Sequence, residues 1–294
     1  MTATCTCRGL SKAYRGFRLG PLDLELEPGT VLGYVGLNGA GKTTTMNCLS
    51  GLVKADAGQV EIAGRPNDPA DPLWKADVAF VTDEPLFYDR WTGARNLRIL
   101  AGYYPAWSEA AAGALAHRFS LPLDRPVRDL SRGNRTKLAV TAALAASSRL
   151  LLLDEPTAGL DPVVREEVLG ALFEQLEGGE RALFYSTHLL TDIARLADEL
   201  AFLADGQLVL RESVADLTDR WRAVSYRCPE GAPDPVATVR VEREGERRRV
   251  ISADGEATLR HLAELGATQV QAAALGIDAI AVEILKGDYR VAAG

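Results

Sequence analysis

The stretch VLGYVGLNGAGKTTTMNCLSGL (31–52) decides the fold. Its first six residues form a short apolar run of strand type, GLNGAGKT (36–43) fits the phosphate-binding loop GxxxxGK[ST], and KTTTMNCLSGL (42–52) continues as a helix. Each residue type has a chemical reason. Gly36, Gly39 and Gly41, with Asn38 and Ala40 between them, let successive backbone N–H groups curl around a β-phosphate. Lys42 can reach the β- and γ-oxygens, Thr43 can offer its hydroxyl to Mg²⁺, and Thr44 follows on a helix whose positive end faces the phosphates.

Outward from this loop, strands and helices alternate. LDLELE (22–27) alternates as a half-buried strand, and QVEIAG (59–64) and VAFVT (78–82) are short strands. The pattern is helical from Thr92 to Ser120 and again in NRTKLAVTAALAAS (134–147). LLLLDEP (150–156) is a continuous apolar run of buried-strand type that exposes Asp154 and Glu155 at its end. Such acids can hold Mg²⁺ and polarise an attacking water. A helix (162–176), a strand RALFYST (181–187), a helix (189–197) and strands LAFLA (200–204) and QLVLR (207–211) follow. This alternation predicts an α/β fold with a mostly parallel sheet, whose ligands lie at the carboxyl ends of the strands.

Beyond residue 222 the composition changes. YRCPEGAPDP (226–235) is rich in turn formers, VATVRVEREGERRRVIS (236–252) reads as a hairpin about Glu244–Gly245, and ATLRHLAELG (257–266) as a helix. The arginines at 247–249 are expected to blunt an exposed strand edge, with a basic patch for a partner as the alternative.

The 294 residues are 47 % hydrophobic and 25 % charged, a mix that excludes a disordered chain. No apolar run reaches the roughly 18 residues of a membrane span, and MTATCTCRGL does not read as a secretory signal. A net charge of −7 argues against broad nucleic-acid binding, so no nucleic-acid partner is expected. Cys5, Cys7, Cys48 and Cys228 lack paired metal-ligand spacing, and these features together favour the cytoplasm.

Further motifs carry a family resemblance: LSRGN (130–134), Tyr14 in SKAYRG, AGLD (158–161) and His188 after YST. With the two phosphate-handling segments and in this order, the chain resembles the nucleotide-binding subunit of an ATP-binding cassette (ABC) transporter. The resemblance implies an ABC ATPase domain over residues 1–221, with a RecA-like mostly parallel sheet, an antiparallel β subdomain and a helical signature subdomain. Residues 222–294 are left as a small α+β accessory domain. ATP and Mg²⁺ are the implied cofactors. Tyr14 would stack on adenine, Asp154 would support the metal, Glu155 would be the general base and His188 would contact the γ-phosphate. Ser131 and Gly133 would contact ATP held by the opposite subunit, which makes a homodimer, or a heterodimer with a related ATPase, the expected active form.

Two positions depart from the family pattern. Asp83 stands where Gln is usual, either as a Mg²⁺ ligand or as a solvated loop acid, and Asn134 replaces another Gln. PLFYDRW (85–91) crowds Phe87, Tyr88 and Trp91 into a groove for a separate transmembrane permease, or into packing against the sheet. YYPAW before the signature and LGIDAIAVEIL (275–285) at the tail are similar to bacterial exporter-type subunits for peptides, drugs or lipids. The implied location is cytoplasmic, peripheral on the inner face of the membrane through the permease. The alternatives are a soluble ABC ATPase acting on ribosomes or DNA, set against by the single cassette and acidic balance, and a phosphate-loop kinase, set against by LSRGN and His188.

Overall fold

The computed structural model describes residues 3–176, 179–188, 190–229 and 231–286. The chain opens with an antiparallel pair, β1 (Cys5–Tyr14) and β2 (Phe17–Leu26). Period-two alternation buries Leu22, Leu24 and Leu26 and exposes Asp23 and Glu25. β3 (Val31–Gly36) leads through the phosphate loop into α1 (Lys42–Leu49), followed by β4 (Ala57–Ile62), β5 (Arg65–Pro66) and β6 (Val78–Val81).

A helical region then holds α2 (Gly93–Ala101), α3 (Glu109–Arg118) and α4 (Arg132–Ala145). Thr92, Ser108 and Ser131 cap these helices, each side-chain oxygen accepting a first-turn N–H. β7 (Leu150–Asp154), α5 (Pro162–Leu176), β8 (Ala182–Thr187), α6 (Leu190–Ile193), β9 (Glu199–Ala204), β10 (Gln207–Ser213) and α7 (Val214–Arg220) complete this part. The helix expected over 189–197 is confined to α6; Leu189 lies outside the described residues. Soon after α6, Asp198 pins the chain to β3: its Oδ2 accepts from Val31 N at 2.8 Å, and its N donates to Val31 O at 3.0 Å.

Three sheets result. The central one runs β10-β9-β3-β8-β7-β6, parallel except for β10, and a second, antiparallel one runs β2-β1-β4-β5. β3, β7 and β8 are buried along their whole length, which is why they read as unbroken apolar runs. Each of the four buried leucines of β7 contributes about 1.5–3 kcal/mol by leaving water. The register pairs Val35 with Thr187 and Asp154 with Ser186, so β3, β7 and β8 bring their carboxyl ends level.

Residues after 221 supply β11 (Arg222–Arg227), β12 (Thr238–Glu244), β13 (Arg247–Ser252), α8 (Gly255–Glu264), β14 (Thr268–Ala274) and α9 (Ile277–Leu285). Their antiparallel sheet has the order β12-β13-β11-β14. This corrects the expectation for the arginines at 247–249. β13 is an interior strand between β12 and β11, so these side chains guard no edge. α9 folds back against the central sheet, and Ile280, Ala281 and Ile284 share one apolar core with Trp221, Ile251, Leu200 and Phe202.

Candidate nucleotide site

The loop between β3 and α1 needs glycine for two distinct reasons. A Cβ on Gly36 would lie 2.6 Å from Leu203 O, and one on Gly41 would lie 2.8 Å from Leu19 Cδ1 at a φ of +112°. The first is a close backbone approach and the second also a left-handed conformation. Ala40 is buried, and its carbonyl accepts from Gly206 N at 3.0 Å, which ties the loop to the β9–β10 turn.

The Lys42 ammonium, only 6 % exposed, donates to Gly36 O at 2.8 Å and lies 3.2 Å from Glu155 Oε1. Glu155 follows β7 with a φ of +50°; its N donates to Ser186 O at 3.1 Å, and Oε2 lies 2.7 Å from His188 Nδ1. The sheet therefore places the acid between a lysine from the β3 end and a histidine from the β8 end. Asp154 is 2 % exposed and accepts from Ser186 Oγ. Below it, Thr157 donates to Asp192 Oδ2 at 2.7 Å and contacts Tyr185 OH at 2.9 Å, and Arg165 pairs with Asp192. Burial pushes the Tyr185 hydroxyl up, so this network stays neutral at the tyrosine. It fixes the turn leading to AGLD.

Asn38, Gly39, Lys42, Thr43 and Thr44 line a cleft of about 470 Å³ whose other walls include Asp83, Glu155 and His188. Asp83 makes a 2.9 Å bond to Arg132 of α4, both about half exposed. A reading of loop acids alone gives no sign of this partner, 49 residues away. Tyr14 is not among the cleft-lining residues; it is 48 % exposed with Lys12 Nζ 5.7 Å from its ring centroid. Phe17, its cross-strand neighbour at the β1–β2 turn, faces the cleft instead. An aromatic three residues past Tyr14 was the available signal, and it was missed. Ser131 and Gly133 do not line the cleft; they stand at the accessible start of α4, where Ser131 Oγ accepts from Asn134 N at 3.2 Å.

The site also fits a hard divalent cation. Thr43 and Asp83 bring a hydroxyl and a carboxylate to the cleft, while Asp154 lies buried at the β7 end, bonded to Ser186 Oγ and outside the lining; no group of three or more His, Cys, Asp or Glu among the described residues forms a metal cage. Hydroxyl and carboxylate oxygens are the donor set for Mg²⁺, which takes few protein ligands and completes its shell with phosphates and water.

A glycine-cradled lysine facing a carboxylate at parallel strand ends defines a phosphate-loop ATPase site. The sequence profile described as ABC transporter matches residues 19–158, and one described as AAA domain, putative AbiEii toxin, Type IV TA system matches 123–194. The ABC transporter ATP-binding protein YtrB of Bacillus subtilis is 32 % identical over 213 residues, covering 72 % of each chain. The SkfA peptide export ATP-binding protein SkfE of the same organism is 33 % identical, covering 69 % of this chain and 86 % of its own. A solved ATP-binding subunit of an ABC transporter superposes with a TM-score of 0.67 at 27 % identity, covering 74 % of this chain and 92 % of that one. An ATP-binding cassette solved as a dimer with ADP and Pi shares the fold, with a TM-score of 0.65 at 23 % identity over 71 % of this chain and 98 % of its own. The chain belongs to the ATP-binding subunits of ABC transporters and is an ABC-type ATPase.

Proposed function

We propose that two copies of the chain close around two MgATP and that this closure drives a separate transmembrane permease, in an exporter for peptides, drugs or lipids. The observation that carries the reading is the position of Ser131. One chain has one phosphate loop and one signature, and its Ser131 helix start lies outside its own nucleotide cleft. A helix N-terminus that suits an anion is therefore free to meet the phosphates of a second subunit. Lys42 would hold the β- and γ-phosphates, Thr43, Asp154 and Asp83 the cation, and Glu155 would accept a proton from the attacking water. His188, bonded to Glu155, would fix that carboxylate and contact the γ-phosphate. The bound cation would neutralise charge on the phosphates.

We assign the permease contact to the segment after Asp83. Leu86 and Tyr88 are 93 % and 58 % exposed, and with Phe87, Asn96, Ile99 and Leu100 they line a cavity of about 280 Å³. Trp91 stacks on Tyr88 with ring centroids 4.3 Å apart and carries Arg95 3.9 Å above its face, which stiffens that wall. Among the described residues no helix is long and apolar enough to cross a membrane; attachment to the inner face of the membrane through the permease is part of the proposal. Peptide and Nod factor export in the names of two relatives supports the exporter reading. We assign residues 1–221 to the cassette and 222–294 to an accessory domain.

Mixing two inactive variants tests the shared site. Lys42→Ala removes the phosphate contact and Ser131→Arg blocks the helix start. A mixed dimer regains one intact site, so phosphate release should return to about a quarter to a half of wild type, with half-sites obeying the symmetry of an isologous pair. No recovery on mixing overturns the trans arrangement.

A further inference from the structure

The interior position of β13 leaves its arginines without the expected task. The register sets Arg247 opposite Arg227 of β11 and Arg249 opposite Ser225, all on one face of the C-terminal sheet. Like charges directly opposite each other destabilise a sheet unless something neutralises them. β12 sets Glu244 opposite Arg247 and Glu242 opposite Arg249 on the same face, yet neither acid forms an ion pair with the arginine facing it. Arg227, Arg247 and Arg249 form no ion pair among the described residues, and the half-buried Arg227 has an Nε with no hydrogen-bond partner. The neighbouring arginines differ. Arg243 pairs with Asp234, and Arg248, on the opposite face, donates to Ala232 O at 2.7 Å.

The three unspent guanidiniums line a cleft of about 650 Å³. Ser225 and Gln271 continue the row toward β14, since Ser225 pairs with Arg249 on one side and Gln271 on the other. Glu242 and Glu244 close the β12 side; Glu242 is held by Arg240 at 3.2 Å, whereas Glu244 has no ion pair among the described residues. The acids border only β13, so the part of the cleft farthest from them lies over β11, at Arg227 and Ser225. We infer that this face binds a small molecule bearing two or more phosphate groups, at a site distinct from the cassette cleft. The charge decides the class: one carboxylate would neutralise one guanidinium, while a polyphosphate meets three with the bidentate geometry that arginine favours. The cleft volume lies within the range of small-molecule sites, about 300–1,000 Å³.

Calorimetry on the full chain tests this, with the cassette site first saturated by MgADP. Inorganic tripolyphosphate is the first probe and adenosine 3′,5′-bisphosphate the second. One further saturable event per chain is expected, and the tighter probe shows whether a nucleoside or an inorganic polyphosphate is the better source of the phosphates. Arg247→Gln and Arg249→Gln, both exposed and so harmless to the core, should each weaken binding at least tenfold. Arg260→Gln, which removes the same charge from an exposed position on α8, should leave it unchanged. The inference is overturned by the absence of a second event, by equal weakening in Arg260→Gln, or by a polyglutamate peptide binding as tightly as the phosphates.

Discussion

Replacing Glu155 by Gln separates the partner of Lys42 from the proposed general base, two roles that fall on one carboxylate. Its Oε1 lies 3.2 Å from Lys42 Nζ, with the lysine 6 % and the acid 14 % exposed. At an effective dielectric constant of about 20, a unit-charge pair at that distance attracts by ~5 kcal/mol. Removing both groups from water offsets most of this, so the net loss on neutralising the acid is about 1–3 kcal/mol. In a domain of this size that lowers the melting temperature of the nucleotide-free variant by about 2–10 °C. The same change favours ATP. Phosphates approaching Lys42 no longer compete with a carboxylate, and a relief of 1–2 kcal/mol corresponds to roughly 5- to 30-fold tighter binding. MgATP should therefore raise the melting temperature of Glu155→Gln by more than that of wild type. Hydrolysis should fall by about 10²–10⁴-fold, the usual contribution of a positioned general base. Thermal denaturation with and without MgATP, together with phosphate release, checks both arms. Hydrolysis near the wild-type rate removes Glu155 from the base role. An ATP-induced shift no larger than wild type refutes the coupling through Lys42.

Gly206 has a φ of +76°, and a Cβ there would lie 2.0 Å from Arg18 O, so Gly206→Ala should cost about 2 kcal/mol or more in urea unfolding and weaken ATP binding through the Ala40 contact. Asp83→Asn breaks a half-exposed pair with Arg132 and should change stability by less than about 1 kcal/mol; an unchanged Mg²⁺ dependence of hydrolysis would exclude a metal role for Asp83. Burial pushes the Cys7 thiol up to about 12 from 9.0. Its folded pKa exceeds its unfolded one, so its contribution is complete below pH 9.0 and is lost as pH rises toward 12. The slope is about 1.4 kcal/mol per pH unit, and urea titrations at pH 8 to 10 should show a shallower decline in Cys7→Ala.

The parts of this chain that could be read from residues are those whose physics is local. The leucines of β7 form an unbroken run because that strand is covered on both faces, and the glycines of 36–41 mark a loop whose backbone must approach other atoms closely. The signature serine was read only through the family resemblance, although its capping of α4 involves no more than the helix's own first turn. β14 was not legible. Its seven residues, TQVQAAA, are exposed throughout, so no alternation marks it, and β11 begins and ends in arginine, with its last two residues inside the turn-rich segment 226–235.

The misread arginines show where local reading fails. A charged run of period two says that a strand exists, but edge or interior is decided by which distant segments pair with it. Here β11, some twenty residues earlier, supplies the neighbour that turns an edge guard into a like-charge pair. The same holds for Asp83 and Arg132, and for Phe17, which faces the phosphate loop because β2 crosses beside it. Glu155 joins both kinds of information. Its place after an apolar run marks it as a strand-end acid, whereas its contacts with Lys42 and His188 depend on the in-register parallel order of β3, β8 and β7. A substitution that slipped β8 by one residue would leave every motif in the sequence and still separate the histidine from the acid. The catalysis proposed for this cassette thus depends on sheet register as directly as on the residues that the motifs name.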